Sequence, residues 1–150
     1  MIKFAKMQEL QFANLKKGEL IINAEAKVDE EAIKLIKTFG NWFNKKYPLP
    51  MPLEIELVDK YYLLHDGMRS GYLFAYDEFS KYPEIDDSFT NPVIVLPVKG
   101  IGTKWSKEEV LFSLLQALSD YYAFIFHLDF DQNYQDEELE QVLVQYQEEM

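Results

Sequence analysis

The stretch from Glu108 to Ile125 reads EEVLFSLLQALSDYYAFI, and it limits what this chain can fold into more than any other. Leu111, Leu114, Leu115, Leu118, Tyr122 and Ile125 recur at three- and four-residue steps, the spacing of one helix stripe. The start is well marked. Ser106 and Glu109 form a capping box, and Trp105 with Val110 has the spacing of a hydrophobic staple. A helix is therefore predicted from about Lys107 to Phe126. So apolar a helix has to be enclosed. No apolar run reaches the roughly 18 residues that span a bilayer, so the rest of the chain must enclose it. At 150 residues, 48% of them apolar and 15% aromatic, the chain can supply that core and is too apolar to be disordered. Yet Gln116 and Asp120 sit four residues apart on one side of the helix, flanking Ala117.

The remaining elements follow from period and punctuation. LIINAEAKV alternates Ile22, Ala24, Ala26 and Val28 against Asn23, Glu25 and Lys27, as a half-buried strand does. Asp29 is placed as an N-cap, with Val28 and Ile33 as the staple. Ala32, Leu35, Ile36, Phe39, Trp42 and Phe43 then mark a helix from about Glu30 to Lys46, which the prolines of YPLPMP stop. LEIELV alternates as a second strand, HDGMRSG reads as a turn or loop, and YLFAYDEF as a third strand. KYPEIDDSFTNP is a polar loop. VIVLPV is a continuous apolar run, expected of a strand covered on both faces; Pro97 puts one end at an edge or bulge. Asp136 opens a short last helix, about 136–149, on Leu139, Val142, Leu143 and Tyr146. Successive strands without intervening helices predict an α+β fold. The expected fold is a single domain over residues 1–150, with a mixed, mostly antiparallel sheet of about four strands on two long helices.

Several chemistries are disfavoured. There is no cysteine, hence no disulfide and no thiolate ligand or nucleophile. His65 and His127 are the two histidines, which removes most general bases and the commonest transition-metal ligand. His65 in LLHDGMRSG reads first as turn chemistry, with Asp66-Gly67 making the reversal, and His127 as a cation at a helix C-terminus. No serine has a histidine at a triad spacing, and KGIGTK has too few glycines for a phosphate loop. With 26 acidic residues against 15 basic, a net charge of −11 disfavours nucleic acid, whose binding rests on neutralising phosphates. MIKFAKMQELQF is broken by Lys3, Lys6 and Glu9 and lacks the centre of a signal peptide. The expectation is a soluble, cytoplasmic protein without a membrane partner.

The order strand, helix, three strands, long buried helix resembles the zincin-like metallopeptidase domain. In that family the long helix carries His-Glu-x-x-His after an apolar run and before aromatic residues. Two histidines at i and i+4 share one face and hold zinc, and the glutamate polarises the zinc-bound water. The match falls on Gln116-Ala117-Leu118-Ser119-Asp120. Leu118 and Ser119 suit the middle positions. Gln116 and Asp120 stand where the histidines would be, and Ala117 where the glutamate would be. YPLPMPLEIEL, DGMRSGYLFAY and NPVIVLPV look like the helix exit and strands of small bacterial members, so the resemblance spans about residues 12–128. In glutamate-type members a third ligand comes from the following helix, where Glu137, Glu138 or Glu140 stands here; an acidic first turn also suits any helix N-terminus.

The resemblance thus implies a vestigial motif and no peptidase activity. An amide and one carboxylate make a poor zinc site, and they fall short of the six or more oxygens that calcium takes. No metal and no cofactor are expected. The tyrosines and phenylalanines of the middle third are too many for alternation to bury them all. Tyr72, Phe74 and Tyr76 are the candidate binding surface, on an edge strand that could accept a protein or peptide partner. Two other readings remain open. One is a small acidic interaction or immunity-type protein of unrelated fold that neutralises a basic partner. The other is an enzyme using carboxylates alone, among them Glu108, Glu109 and Asp120.

Overall fold

The first strand, β1 (Leu20–Ala24), leads through a turn into α1 (Glu30–Lys46) and back to β2 (Leu53–Val58), which pairs parallel to it. These and all other elements are taken from a computed structural model that describes residues 18–47, 49, 52–65, 67–75, 92–99, 106–125 and 136–149. The first strand is shorter than its alternation suggests. The Val28 amide donates to the Glu25 carbonyl at 3.0 Å, closing a turn that leaves Ala24 and Ala26 exposed and drives Val28 into the core. Asp29 occupies the N-cap position of α1 without a side-chain cap bond. Ala32, Ile36, Phe39 and Phe43 form the buried face of α1. A Cβ built on Gly40 would stand 2.5 Å from Leu20 Cδ2, so glycine lets α1 lie close on β1.

β2 alternates as expected, with Leu53, Ile55 and Leu57 buried and Glu56 exposed. The chain then makes a small separate hairpin, β3 (Leu63–His65) and β4 (Met68–Ser70). His65 pairs with Met68 across a two-residue turn, in which Gly67 has φ +79°, the left-handed conformation an Asp-Gly hairpin turn requires. The sequence pattern gave the reversal at Asp66-Gly67 but not the two short strands beside it. β5 (Leu73–Ala75), β6 (Val93–Pro97), α2 (Lys107–Ile125) and α3 (Asp136–Glu149) complete the order.

The main sheet runs β1-β2-β6-β5. It is mixed and four-stranded, but the expectation of mostly antiparallel pairing does not hold. β1 with β2 and β2 with β6 are parallel, and only β5 with β6 is antiparallel. The physical reason is the crossover. A helix between β1 and β2 returns the chain to the same end of the sheet. The stretch holding β3, β4 and β5 does the same before β6. Pro97 fits because of register. Pro92 O and Val98 N bond to β2, so position 97 turns its nitrogen toward β5, whose pairing stops at Val95. Val93 and Val95 are half-buried, so the second face of β6 is only partly covered.

Helices and sheet share one core in which Ile55, Leu57, Ile94 and Leu96 meet Phe39, Phe43, Leu114, Leu118 and Leu139. α3 is fastened to α1 by aromatic and polar contacts. Tyr146 packs edge-on against Phe39 at 4.9 Å and Trp42 at 5.2 Å. Tyr47 donates to Gln145 Oε1 at 2.7 Å. Lys46 and Trp42 both donate to Glu149, which holds its carboxyl below the ordinary glutamate value. Among the described residues, no helix is long and apolar enough to cross a membrane.

Candidate functional site

α2 starts where its capping signal places it. The Glu109 amide donates to Ser106 Oγ at 3.0 Å. Its burial is wider than one stripe. Val110, Leu114, Leu115, Ala117, Tyr121, Tyr122 and Ala123 are all at 0% exposure, and Ser119 is at 1%. One seam is left: Phe112, Ser113, Gln116 and Asp120 are half-exposed, following the exposed Glu109 at helical spacing. Gln116 and Asp120 thus share one face, as their spacing requires. Ala117, between them, is closed off from solvent.

The far end of this seam is engaged by the edge strand. β5 pairs Phe74 with Ile94, whose side chain is in the core, so Phe74 and Tyr72 turn toward the helices. Phe74 meets Phe124 edge-on at 5.9 Å. The Tyr72 hydroxyl donates to Asp120 Oδ2 at 2.8 Å. Tyr72 and Phe74 are therefore half-buried and link β5 to α2. Tyr76, the third residue of that expected surface, lies outside the described residues, as do Asp66, Trp105, Phe126 and His127.

Ser70 adds a feature the sequence reading did not single out. Its hydroxyl accepts from the Tyr72 amide at 3.3 Å and donates to the Tyr72 carbonyl. Residue 72 has the parity that turns its backbone away from β6, so Ser70 blunts the free edge at that point. The legible signal is a serine two residues before an edge-strand tyrosine, a common side-chain-to-backbone pattern.

Of the three glutamates considered as a third ligand, Glu137 and Glu140 are exposed. Glu138 is half-buried, with Oε2 inside the protein. It lies near enough to Tyr47 to raise that hydroxyl, which burial and Glu149 raise more. Among the described residues, no group of three His, Cys, Asp or Glu side chains could hold a metal ion. The arrangement offers no base at position 117, and the carboxylate at 120 is committed to a phenol. Beside the seam, a groove of about 660 Å³ runs between α2 and α3, with Phe112, Leu143 and Val144 among Glu108, Glu109 and Glu140.

No protein-family model matches this chain, and neither a curated protein nor a solved structure matches it.

The Tyr72–Asp120 contact is open to a direct test. A hydrogen bond to a charged partner is worth roughly 1.5–3 kcal/mol. In a double-mutant cycle, Tyr72→Phe and Asp120→Ala are each expected to destabilise. Their combined cost should fall short of the sum by at least about 1 kcal/mol. Simple additivity in denaturant unfolding would show that the pair is not coupled.

Proposed function

We propose that this chain is a catalytically inactive domain of zincin-like plan that binds a protein or peptide partner. The observation that carries this reading is the state of the three motif positions on α2. Gln116 faces the seam, Ala117 is buried and has no ionisable group, and Asp120 accepts a hydrogen bond from Tyr72. The element order supports the plan: an antiparallel edge strand lies beside β6, and the long helix follows β6. The third ligand of such a plan would come from the next helix, where Glu138 is the half-buried one of the three glutamates, set beside Tyr47. Leu64 and Met68, 70% and 73% exposed on the hairpin, offer apolar contact to a partner.

The plan is tested by putting ligands back where Ala117 need not change. The Gln116→His/Asp120→His double variant is expected to take up zinc, since histidines at i and i+4 share one face. If the plan is right, Glu138→Ala in that background lowers zinc affinity by about tenfold or more. Affinity indifferent to Glu138 would remove the third-ligand assignment and the zincin-like reading with it. The inactive reading fails separately if the unaltered protein carries stoichiometric zinc and hydrolyses peptides.

A second reading, a small acidic protein that neutralises a basic partner, is favoured by the groove between α2 and α3. It is lined by Phe112, Leu143 and Val144 together with Glu108, Glu109 and Glu140, on a chain of net charge −11. Binding there weakens as salt rises, whereas binding on the apolar hairpin does not.

A further inference from the structure

Two lysines 39 residues apart in this acidic chain are brought to one rim of the sheet. β2 and β6 are parallel neighbours, and both end at the same rim of the sheet. Each is followed within two residues by a lysine: Lys60 after Val58, Lys99 after Pro97. The backbone holds the two exits together. Val98 N donates to Val58 O at 3.0 Å, and Lys99 N to Lys60 O at 2.9 Å. A pocket of about 530 Å³ opens there, within the usual size range for small-molecule sites. Lys60 and Lys99 line it with Tyr61, Tyr62 and Tyr72, and Asp59 is the one acid among its described lining residues. The exposed Leu64 of the hairpin forms part of its wall.

Cations and rings are interleaved at this pocket. Lys99 Nζ stands 5.4 Å from the centre of the Tyr61 ring, and the Arg69 guanidinium 4.7 Å from that of Tyr62. The Lys99 contact sets that ammonium against a ring that lines the pocket, and Arg69 lies over Tyr62 from the neighbouring hairpin. The carboxyl ends of parallel strands are also where open α/β sheets place their ligands. A chain with 26 acidic and 15 basic residues has here a concavity with two lysines to one aspartate among its described lining residues.

We infer that this pocket binds a small molecule with an anionic head, a phosphate or carboxylate, and a flat apolar body. The head sits between Lys60 and Lys99, and the body lies against Tyr61 and Tyr62. This inference is independent of the zincin-like reading, since it uses neither α2 nor the motif positions.

Isotope-labelled full-length protein titrated with simple probes tests it, with backbone amide shifts as the readout. Phenyl phosphate and benzoate carry the two possible heads on the same ring, so the tighter of them names the head. Either should move the amides of Lys60, Tyr61, Tyr62 and Lys99. Inorganic phosphate should bind more weakly than phenyl phosphate, and benzylamine, with the opposite charge, should not bind. The Lys60→Ala/Lys99→Ala variant removes two exposed side chains, keeps the thermal midpoint, and should weaken the tighter probe about tenfold. The inference is overturned by shifts confined to other residues, by benzylamine binding as well as benzoate, by inorganic phosphate matching phenyl phosphate, or by unchanged affinity in the double variant. Silence with both anionic probes at roughly 10 mM, well above a millimolar dissociation constant, would also overturn it.

Discussion

Placing glutamate at position 117 (Ala117→Glu) is expected to destabilise the protein by more than about 4 kcal/mol, enough to unfold many domains of this size. Two costs combine. Ala117 is at 0% exposure between the core residues Leu114 and Leu118 and the buried Tyr121, so a longer side chain overpacks the site by roughly 1–3 kcal/mol. An unpaired carboxylate taken from water then adds several kcal/mol, whether it stays charged or takes up a proton. Gln116→Glu is the matched control. It puts the same group one position away on the half-exposed seam, where repulsion from Asp120 four residues on costs only a few tenths of a kcal/mol. Urea unfolding of the two variants separates them. A tolerated Ala117→Glu would mean that α2 opens on a cleft at that position. The result also bears on the resemblance. A glutamate at that position has no room in the present packing, so on the proposed plan the obstacle to catalysis goes beyond three exchanged letters.

What the sequence made legible was local. α1 and α3 appear at the limits their apolar spacing gives, and α2 begins at the serine its capping box names. These are properties of single segments, and period plus punctuation encode them. Pairing between segments is encoded differently. Alternation in LEIELV says which side chains go inward, but not that β1 and β6 flank β2 in parallel. The hairpin was missed because three-residue strands are too short to show a period. Tyr72 and Phe74 stood out as large aromatics on an edge strand, which serve equally well for contact and for closure; that they reach Asp120 and Phe124 is visible only in the fold.

The candidate sites divide in the same way. Gln116 and Asp120 stood out because polar groups on an apolar helix are conspicuous. The hydroxyl that engages Asp120 is 48 residues earlier, and only the fold brings it there. Lys60 and Lys99 were unremarkable letters at the ends of two strands. They become a pair because those strands are neighbours with the same direction. Parallel pairing, the feature least visible in the sequence, is thus what brings Lys60 and Lys99 to one concavity of an acidic chain.

At alkaline pH the packing around Tyr122 should reveal itself, and the comparison with Tyr122→Phe should reverse sign. Tyr122 is fully buried, and its hydroxyl donates to the Tyr47 carbonyl at 2.9 Å. Burial pushes that hydroxyl well above the ordinary tyrosine value, with smaller contributions from Tyr121 and Tyr47. The folded protein therefore keeps the proton at a pH where the unfolded chain releases it. Since the folded value is the raised one, this stabilisation is complete below the unfolded value, near pH 10, and is lost as pH rises above it. The loss is about 1.4 kcal/mol per pH unit for this one group. At neutral pH, Tyr122→Phe should cost roughly 1–2 kcal/mol, because it removes a buried hydrogen bond. Phenylalanine has no proton to lose. The two stability curves should therefore converge above pH 10 and meet near pH 11, while ionisations shared by both proteins cancel. Denaturant unfolding at several pH values gives the curves, and tyrosinate absorbance shows when the last hydroxyl ionises. A stability difference that stays constant from pH 8 to pH 11 would mean that Tyr122 ionises as freely in the folded protein as in the unfolded chain, and that the core is open where α1 and α2 meet.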